Sequence, residues 1–115
     1  MSEPSIFTRI LNGEIPGDIL ADTDRVFAIR DINPQAPLHV LVIPKTEQYR
    51  DVTELAAGDP ALMADMVAVA KQIAAEHANG EYRLIFNNGA SAGQSVFHVH
   101  AHVLGSIEEG KLVGF

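Results

Sequence analysis

Apolar and polar residues along this chain fall into short runs with two different periods. Ser5-Ile6-Phe7-Thr8-Arg9-Ile10-Leu11 carries apolar side chains at 6, 7, 10 and 11, the spacing of a short amphipathic helix with Ser5 as N-cap and Asn12-Gly13 as stop. Ile19-Leu20-Ala21 and Val26-Phe27-Ala28-Ile29 read as two strands joined by the turn Asp22-Thr23-Asp24-Arg25. Asn33-Pro34-Gln35-Ala36-Pro37 is a rigid loop, because each proline drives its predecessor out of the helical region. His39-Val40-Leu41-Val42-Ile43 is a strand stopped by Pro44. From Pro60 to Ala78 the period changes: Leu62, Met66, Val69 and Ile73 form a stripe at helical spacing, with Asp59 as N-cap, Pro60 at the first position and Asn79-Gly80 as stop. Met63 and Met66 belong to the core of that helix. Tyr82 to Phe86 and Phe97 to Leu104 complete the strands. Strands outnumber helices and are joined mostly by short turns, which predicts an antiparallel α+β fold in a single domain over residues 1–115.

The last strand is unusual. Phe97-His98-Val99-His100-Ala101-His102-Val103-Leu104 alternates three imidazoles with apolar residues. At a side-chain period of two, His98, His100 and His102 share one face at roughly 6.7 Å intervals, while Phe97, Val99, Ala101 and Val103 face a core. The loop before it, Asn87-Asn88-Gly89-Ala90-Ser91-Ala92-Gly93-Gln94-Ser95, consists of glycine, small, amide and hydroxyl residues, a composition that lets backbone N–H groups approach an anion.

Charge narrows the field. With 8 basic and 15 acidic residues the formal charge is −7, which argues against nucleic acid as a partner. No Asp or Glu lies between Glu81 and Glu108, so one region of an acidic chain is spared negative charge. With 115 residues and 47% hydrophobic residues the chain can form a core without staples, and its lack of cysteine excludes disulfides, a thiolate nucleophile and a thiolate zinc site. Met1-Ser2-Glu3-Pro4 has no signal-peptide character and no apolar run approaches a membrane span. The expectation is a cytoplasmic protein with no membrane partner.

On the residues alone, the histidine row admits three readings. Two histidines at i and i+2 can chelate a divalent metal, although the local chain offers no carboxylate to join them. A neutral imidazole can attack phosphorus, with its other nitrogen held as N–H and neighbouring groups stabilising the phosphoryl oxygens. Or the histidines form a structural network. His39 could sit beside the row or be an isolated structural histidine. Asp31 could hold a sugar hydroxyl pair or cap the turn at Asn33-Pro34. His77 suits a helix C-terminus.

His98-Val99-His100-Ala101-His102-Val103-Leu104 resembles the histidine triad motif of the HIT nucleotide hydrolases and transferases. Asn87 with Gly93-Gln94-Ser95-Val96-Phe97, and in the N-terminal half Ile6-Phe7, Glu14-Ile15-Pro16, Asp31-Ile32-Asn33-Pro34-Gln35-Ala36-Pro37 and His39 to Lys45, are similar to strings of its Hint branch, the nucleoside phosphoramidate hydrolases. The resemblance implies a five-stranded antiparallel sheet with two helices, pairing across a homodimer into a continuous ten-stranded sheet. It implies His100 as nucleophile, His98 and His102 as supports for phosphate, His39 behind them in a proton relay, and Ser95 at the phosphate and departing group. It places Asn87, Gly93 and Gln94 at the phosphate, Asp31 at the ribose, and Phe7, Ile10, Ile29 and Ile32 around a purine. Position 29 is Ile where eukaryotic relatives often carry an aromatic. The tail from Ser106 to Phe115 departs from their aromatic, proline-containing ending, which lies near the leaving group.

The activity implied is hydrolysis of the P–N bond of purine nucleoside phosphoramidates through a nucleotidyl-histidine, releasing nucleoside monophosphate and amine, with no cofactor and no metal. Two alternatives are a dinucleoside polyphosphate hydrolase of the same family and a nucleotide-binding regulatory protein with incidental hydrolysis.

Overall fold

The computed structural model describes residues 3–106, and the tail from Ile107 onward, with the departure noted in it, lies outside them. Strands β1 (Ile19–Asp22) and β2 (Val26–Arg30) pair antiparallel across the expected turn. Thr23 closes that turn: its N–H donates to the Val26 carbonyl at 2.8 Å, and its hydroxyl accepts from the Val26 N–H at 3.1 Å. With β3 (Leu38–Pro44), β4 (Arg83–Ile85) and β5 (Ala101–Gly105) they form a five-stranded, wholly antiparallel sheet in the order β1-β2-β3-β5-β4.

All seven residues of β3 are buried, because the sheet is covered on both faces. Alternation sends Leu38, Val40 and Val42, with Val26, Ala28, Val99, Ala101 and Val103, against the stripe Leu62, Met66, Val69 and Ile73 of α3 (Pro60–His77). Leu41 and Ile43, with Phe27 and Ile29, face the opposite way and pack on Phe7 of α1 (Ile6–Leu11). Each fully buried Val, Leu, Ile, Phe or Met side chain among these contributes about 1.5–3 kcal/mol. His39 falls on this second face, and its register in the sheet sets the site: His39 pairs with Leu104 and Leu41 with His102.

The caps follow the sequence. Ser5 Oγ accepts from the Thr8 N–H at 3.3 Å, and Asp59 Oδ1 accepts from the Leu62 N–H at 3.0 Å. A further helix, α2 (Val52–Gly58), has no apolar stripe, since Leu55 alone is buried. Its signal was Asp51 three residues before Glu54: Asp51 Oδ1 accepts from the Glu54 N–H at 2.9 Å. Among the described residues no helix is long and apolar enough to cross a membrane.

The last strand is shorter than its alternation predicts. The ladder begins at Ala101, not Phe97, so His98 and His100 precede it. Pro44 has no N–H to extend the pairing of β3, and its carbonyl accepts from His98 Nε2 at 2.7 Å instead, while the Val99 N–H donates to the Tyr49 carbonyl at 3.1 Å. Val99, Ala101 and Val103 still enter the core, but Phe97 does not: it is 44% exposed, with the Arg50 guanidinium 5.1 Å from its ring centroid.

Candidate active site

His100 stands at the centre of the histidine row. Its Nδ1 lies 2.9 Å from the main-chain carbonyl oxygen of His98. A carbonyl only accepts, so Nδ1 carries the proton and Nε2 presents a lone pair. The Phe7 ring packs edge-on at 4.9 Å between centroids, and His102 lies 5.4 Å away on the other side. His98 is 1% exposed, and both its ring nitrogens engage protein atoms: Nε2 donates to Pro44 O at 2.7 Å, and Nδ1 lies 2.6 Å from Ser5 Oγ. Its imidazole is therefore not turned toward a phosphate, and its contribution to His100 comes through its carbonyl.

His39 is brought to the row by the β3–β5 register. The Gln35 N–H donates to its Nδ1 at 3.0 Å, so the ring proton of neutral His39 sits on Nε2, 2.9 Å from His102 Nδ1 and 3.4 Å from Asp31 Oδ2. Asp31 closes the turn, as one of its two sequence readings expected, with Oδ1 accepting from the Asn33 N–H at 2.8 Å, while its Oδ2 faces His39. Asp31, His39 and His102 thus bring three ligand-type atoms within 4.8 Å of one another, a carboxylate that the local sequence around the histidines did not offer. The donor pattern nevertheless does not fit a metal. A metal-bound histidine nitrogen needs a lone pair with the other nitrogen donating outward, whereas here His39 Nδ1 receives a hydrogen bond and Nε2 bears the proton.

Every histidine of the cluster is held toward its neutral form. Desolvation lowers the pKa of His98, and it outweighs the opposing hydrogen bond to Pro44. Burial also lowers His100, against the opposing pull of the His98 carbonyl. His102 is pushed down to about 4, first by desolvation and then by the neighbouring imidazoles of His100 and His39. In His39 burial outweighs the attraction of Asp31.

The loop from Asn87 to Ser95 is built around Gln94. That residue, expected at the phosphate, is buried instead: its Oε1 accepts from the Gly89 N–H at 2.9 Å, and its Nε2 donates to the carbonyls of Arg50 at 2.6 Å and Val96 at 3.1 Å. Its own N–H donates to Gly89 O, so it braces the loop from inside. Gly93 adopts φ of 96°, a conformation suited to glycine, and the Asn87 amide lies alongside it. Ser95 is exposed. The four apolar residues expected around a purine separate. Phe7 and Ile29 are buried beneath the site in the cluster with Phe27, Leu41 and Ile43, and Ile10 is partly buried on that cluster. Ile32 stands outside it, 89% exposed.

A HIT domain profile matches residues 12–109. The chain belongs to the HIT family. This HIT protein is 44% identical over 109 residues to an uncharacterized HIT-like protein of Synechocystis, covering 91% of the chain and 92% of the relative. It is 40% identical over 115 residues to the purine nucleoside phosphoramidase of Escherichia coli K12, covering 98% and 96%. Among solved structures, a HIT family hydrolase from Clostridium thermocellum superposes with a TM-score of 0.85 at 39% identity, covering 98% of this chain and 99% of that one.

Sequence reasoning missed the groups that aim the HIT histidines: the carbonyls of His98 and Pro44, the Gln35 N–H and the Ser5 hydroxyl. Main-chain groups leave no residue-type signal, and Ser5 was legible only as a helix cap.

Proposed function

We infer that this chain hydrolyses purine nucleoside phosphoramidates in two steps through His100. The observation that carries this reading is the hydrogen bond from His100 Nδ1–H to the His98 carbonyl, which leaves Nε2 as the nucleophilic atom. The phosphoramidase named among the relatives supports the substrate class. When Nε2 bonds to phosphorus, the imidazole gains positive charge, and the His98 carbonyl, already oriented at Nδ1–H, stabilises it. The P–N bond breaks and the amine leaves with a proton. His39 Nε2–H, aimed at His102 Nδ1, can replenish a proton given up by His102, and Ser95 supplies a hydroxyl at the departing group. Water then attacks phosphorus in the nucleotidyl-His100 bond and gives up a proton that returns through His102 to His39, so that the monophosphate is released and all the imidazoles are again neutral.

His98 contributes as the holder of His100, and Gln94 as the brace of the phosphate loop with Gly93 and Asn87. Asp31 retains a ribose role alongside its turn. Ile10, partly buried on the cluster of Phe7 and Ile29, and the exposed Ile32 are the two of the four apolar residues that solvent reaches and that a base could meet. In a panel of purine nucleoside phosphoramidates, acyl-adenylates and dinucleoside polyphosphates, the phosphoramidates should show the highest kcat/KM. Preference for a dinucleoside polyphosphate would move the assignment to that branch of chemistry, and nucleotide binding without turnover would make the protein a nucleotide sensor.

The same reading includes a homodimer in which β4, at one end of the sheet order, meets its copy to extend five strands to ten. Light scattering should return twice the 12.4 kDa chain mass at micromolar concentration. A mass of one chain across the concentration range would remove the dimer.

A further inference from the structure

The contacts of His98 reach beyond the triad to the N-terminus of α1, outside the residues matched by the HIT profile. Their direction is fixed by chemistry. The Pro44 carbonyl only accepts, so His98 Nε2 carries the ring proton, and a neutral His98 must accept at Nδ1. The group 2.6 Å from Nδ1 is Ser5 Oγ, so the Ser5 hydroxyl donates its single proton there. Ser5 is itself held at both ends: its N–H donates to Glu47 Oε1 at 2.9 Å, and Oγ accepts from the Thr8 N–H at 3.3 Å. Thr8 Oγ1 donates to Glu47 Oε2 at 2.9 Å, which fastens the first turn of α1 to the loop after β3. An ordered series of donors therefore runs from Ser5 through the His98 ring to Pro44, and the carbonyl of the same His98 orients His100.

We propose that Ser5 is a positioning residue for the reaction: its hydroxyl fixes His98 as the neutral Nε2–H tautomer and thereby fixes the carbonyl that holds His100 Nδ1–H. The proposal rests on His100 being the nucleophile. Without the hydroxyl, Nδ1 of a buried imidazole loses its donor, and His98 can recover one only by moving its proton to Nδ1 and releasing Pro44. Either outcome loosens the main chain that orients His100. The N-cap contact and the tautomer contact are separable, because an aspartate caps a helix as well as a serine does but has no proton to donate when ionised.

The test compares Ser5→Thr, Ser5→Ala and Ser5→Asp by three measurements on the full chain. These are ring nitrogen and proton correlations of His98 and His100 by NMR, kcat and KM on a purine nucleoside phosphoramidate, and the urea midpoint. Ser5→Thr should keep the Nε2–H tautomer of His98, the Nδ1–H tautomer of His100 and wild-type turnover. Ser5→Ala should lose the single tautomer at both rings and about tenfold in kcat, with KM within about twofold. Ser5→Asp should keep the urea midpoint yet drive His98 to imidazolium and lower kcat at least as far. Unchanged tautomers and kcat in Ser5→Ala and Ser5→Asp would overturn the proposal. So would a loss of kcat that tracks the urea midpoint across all three variants. The NMR readout needs no substrate, so a wild-type protein that turns over no phosphoramidate would fail the functional reading while the tautomers still judge Ser5.

Discussion

Replacing His100 with alanine is expected to lower kcat/KM on a purine nucleoside phosphoramidate by about 10⁴-fold or more while the fold persists. The size follows from the role: removing the atom that forms the covalent bond abolishes the two-step route, and only binding and the surrounding donors remain. The fold should survive because His100 precedes the β5 ladder, is half-buried, and its ring nitrogen Nδ1 bonds a main-chain carbonyl that water can reach once the ring is gone. Rapid quenching of the wild-type reaction followed by mass spectrometry should find a nucleoside monophosphate on His100, and none in His100→Ala. Full activity in that variant, or an adduct on another histidine, would transfer the nucleophile role. A smaller loss is expected for His102→Asn, which keeps a polar side chain beside His39 but cannot relay a proton.

Acid should destabilise this protein in a window set by its buried imidazoles. His102, His100, His98 and His39 all have folded-state pKa values below the ordinary 6.5, with His102 at about 4. Between 6.5 and those values the unfolded chain binds protons that the folded chain refuses, so the free energy of unfolding is fully present above 6.5 and falls as pH drops toward 4. The lowering of His102 to about 4 sets an upper bound of roughly 3 kcal/mol on its share, which solvent screening and its coupling to His100 and His39 reduce. Asp59, lowered by its hydrogen bond to Arg25, loses its contribution only beneath its ordinary 3.8, so the two effects separate on the pH axis. Urea midpoints measured from pH 7.5 to 4.5 should decline steadily below 6.5, with a shallower decline in His102→Asn. A flat profile would show that the imidazoles are as easily protonated in the folded protein as in the unfolded one. The same lowering favours the unprotonated form of His100 Nε2, so the acid limb of kcat/KM should lie below 6.5.

Particular residues show how far the sequence reaches. Local period and cap chemistry located α1, α3, the β1–β2 hairpin and β3, because Ser5, Asp59 and Gly80 act on their own neighbours and apolar spacing is read over a few residues. The helix α2 escaped that reading since a single buried leucine sets no period. Alternation correctly sent Val99, Ala101 and Val103 inward but overran the strand at Phe97, where Pro44 on the neighbouring strand ended the ladder. Asp31 closes the turn that its own neighbours predicted, whereas the approach of its second carboxylate oxygen to His39 depends on the pairing of strands and had no local signal.

By itself the sequence determined the residue types of the chemistry: three imidazoles alternating with apolar side chains, a fourth on another strand, and a small-residue loop without carboxylates. The tertiary structure decided what each imidazole does. The tautomer of a histidine depends on whether each nitrogen meets a donor or an acceptor, and here those partners are the main-chain groups of Pro44, His98 and Gln35 and the hydroxyl of Ser5, up to 93 positions away in the chain. Main-chain N–H and C=O groups are the same at nearly every residue, so only folding can set which of them faces a ring nitrogen, and with it which nitrogen is left to react.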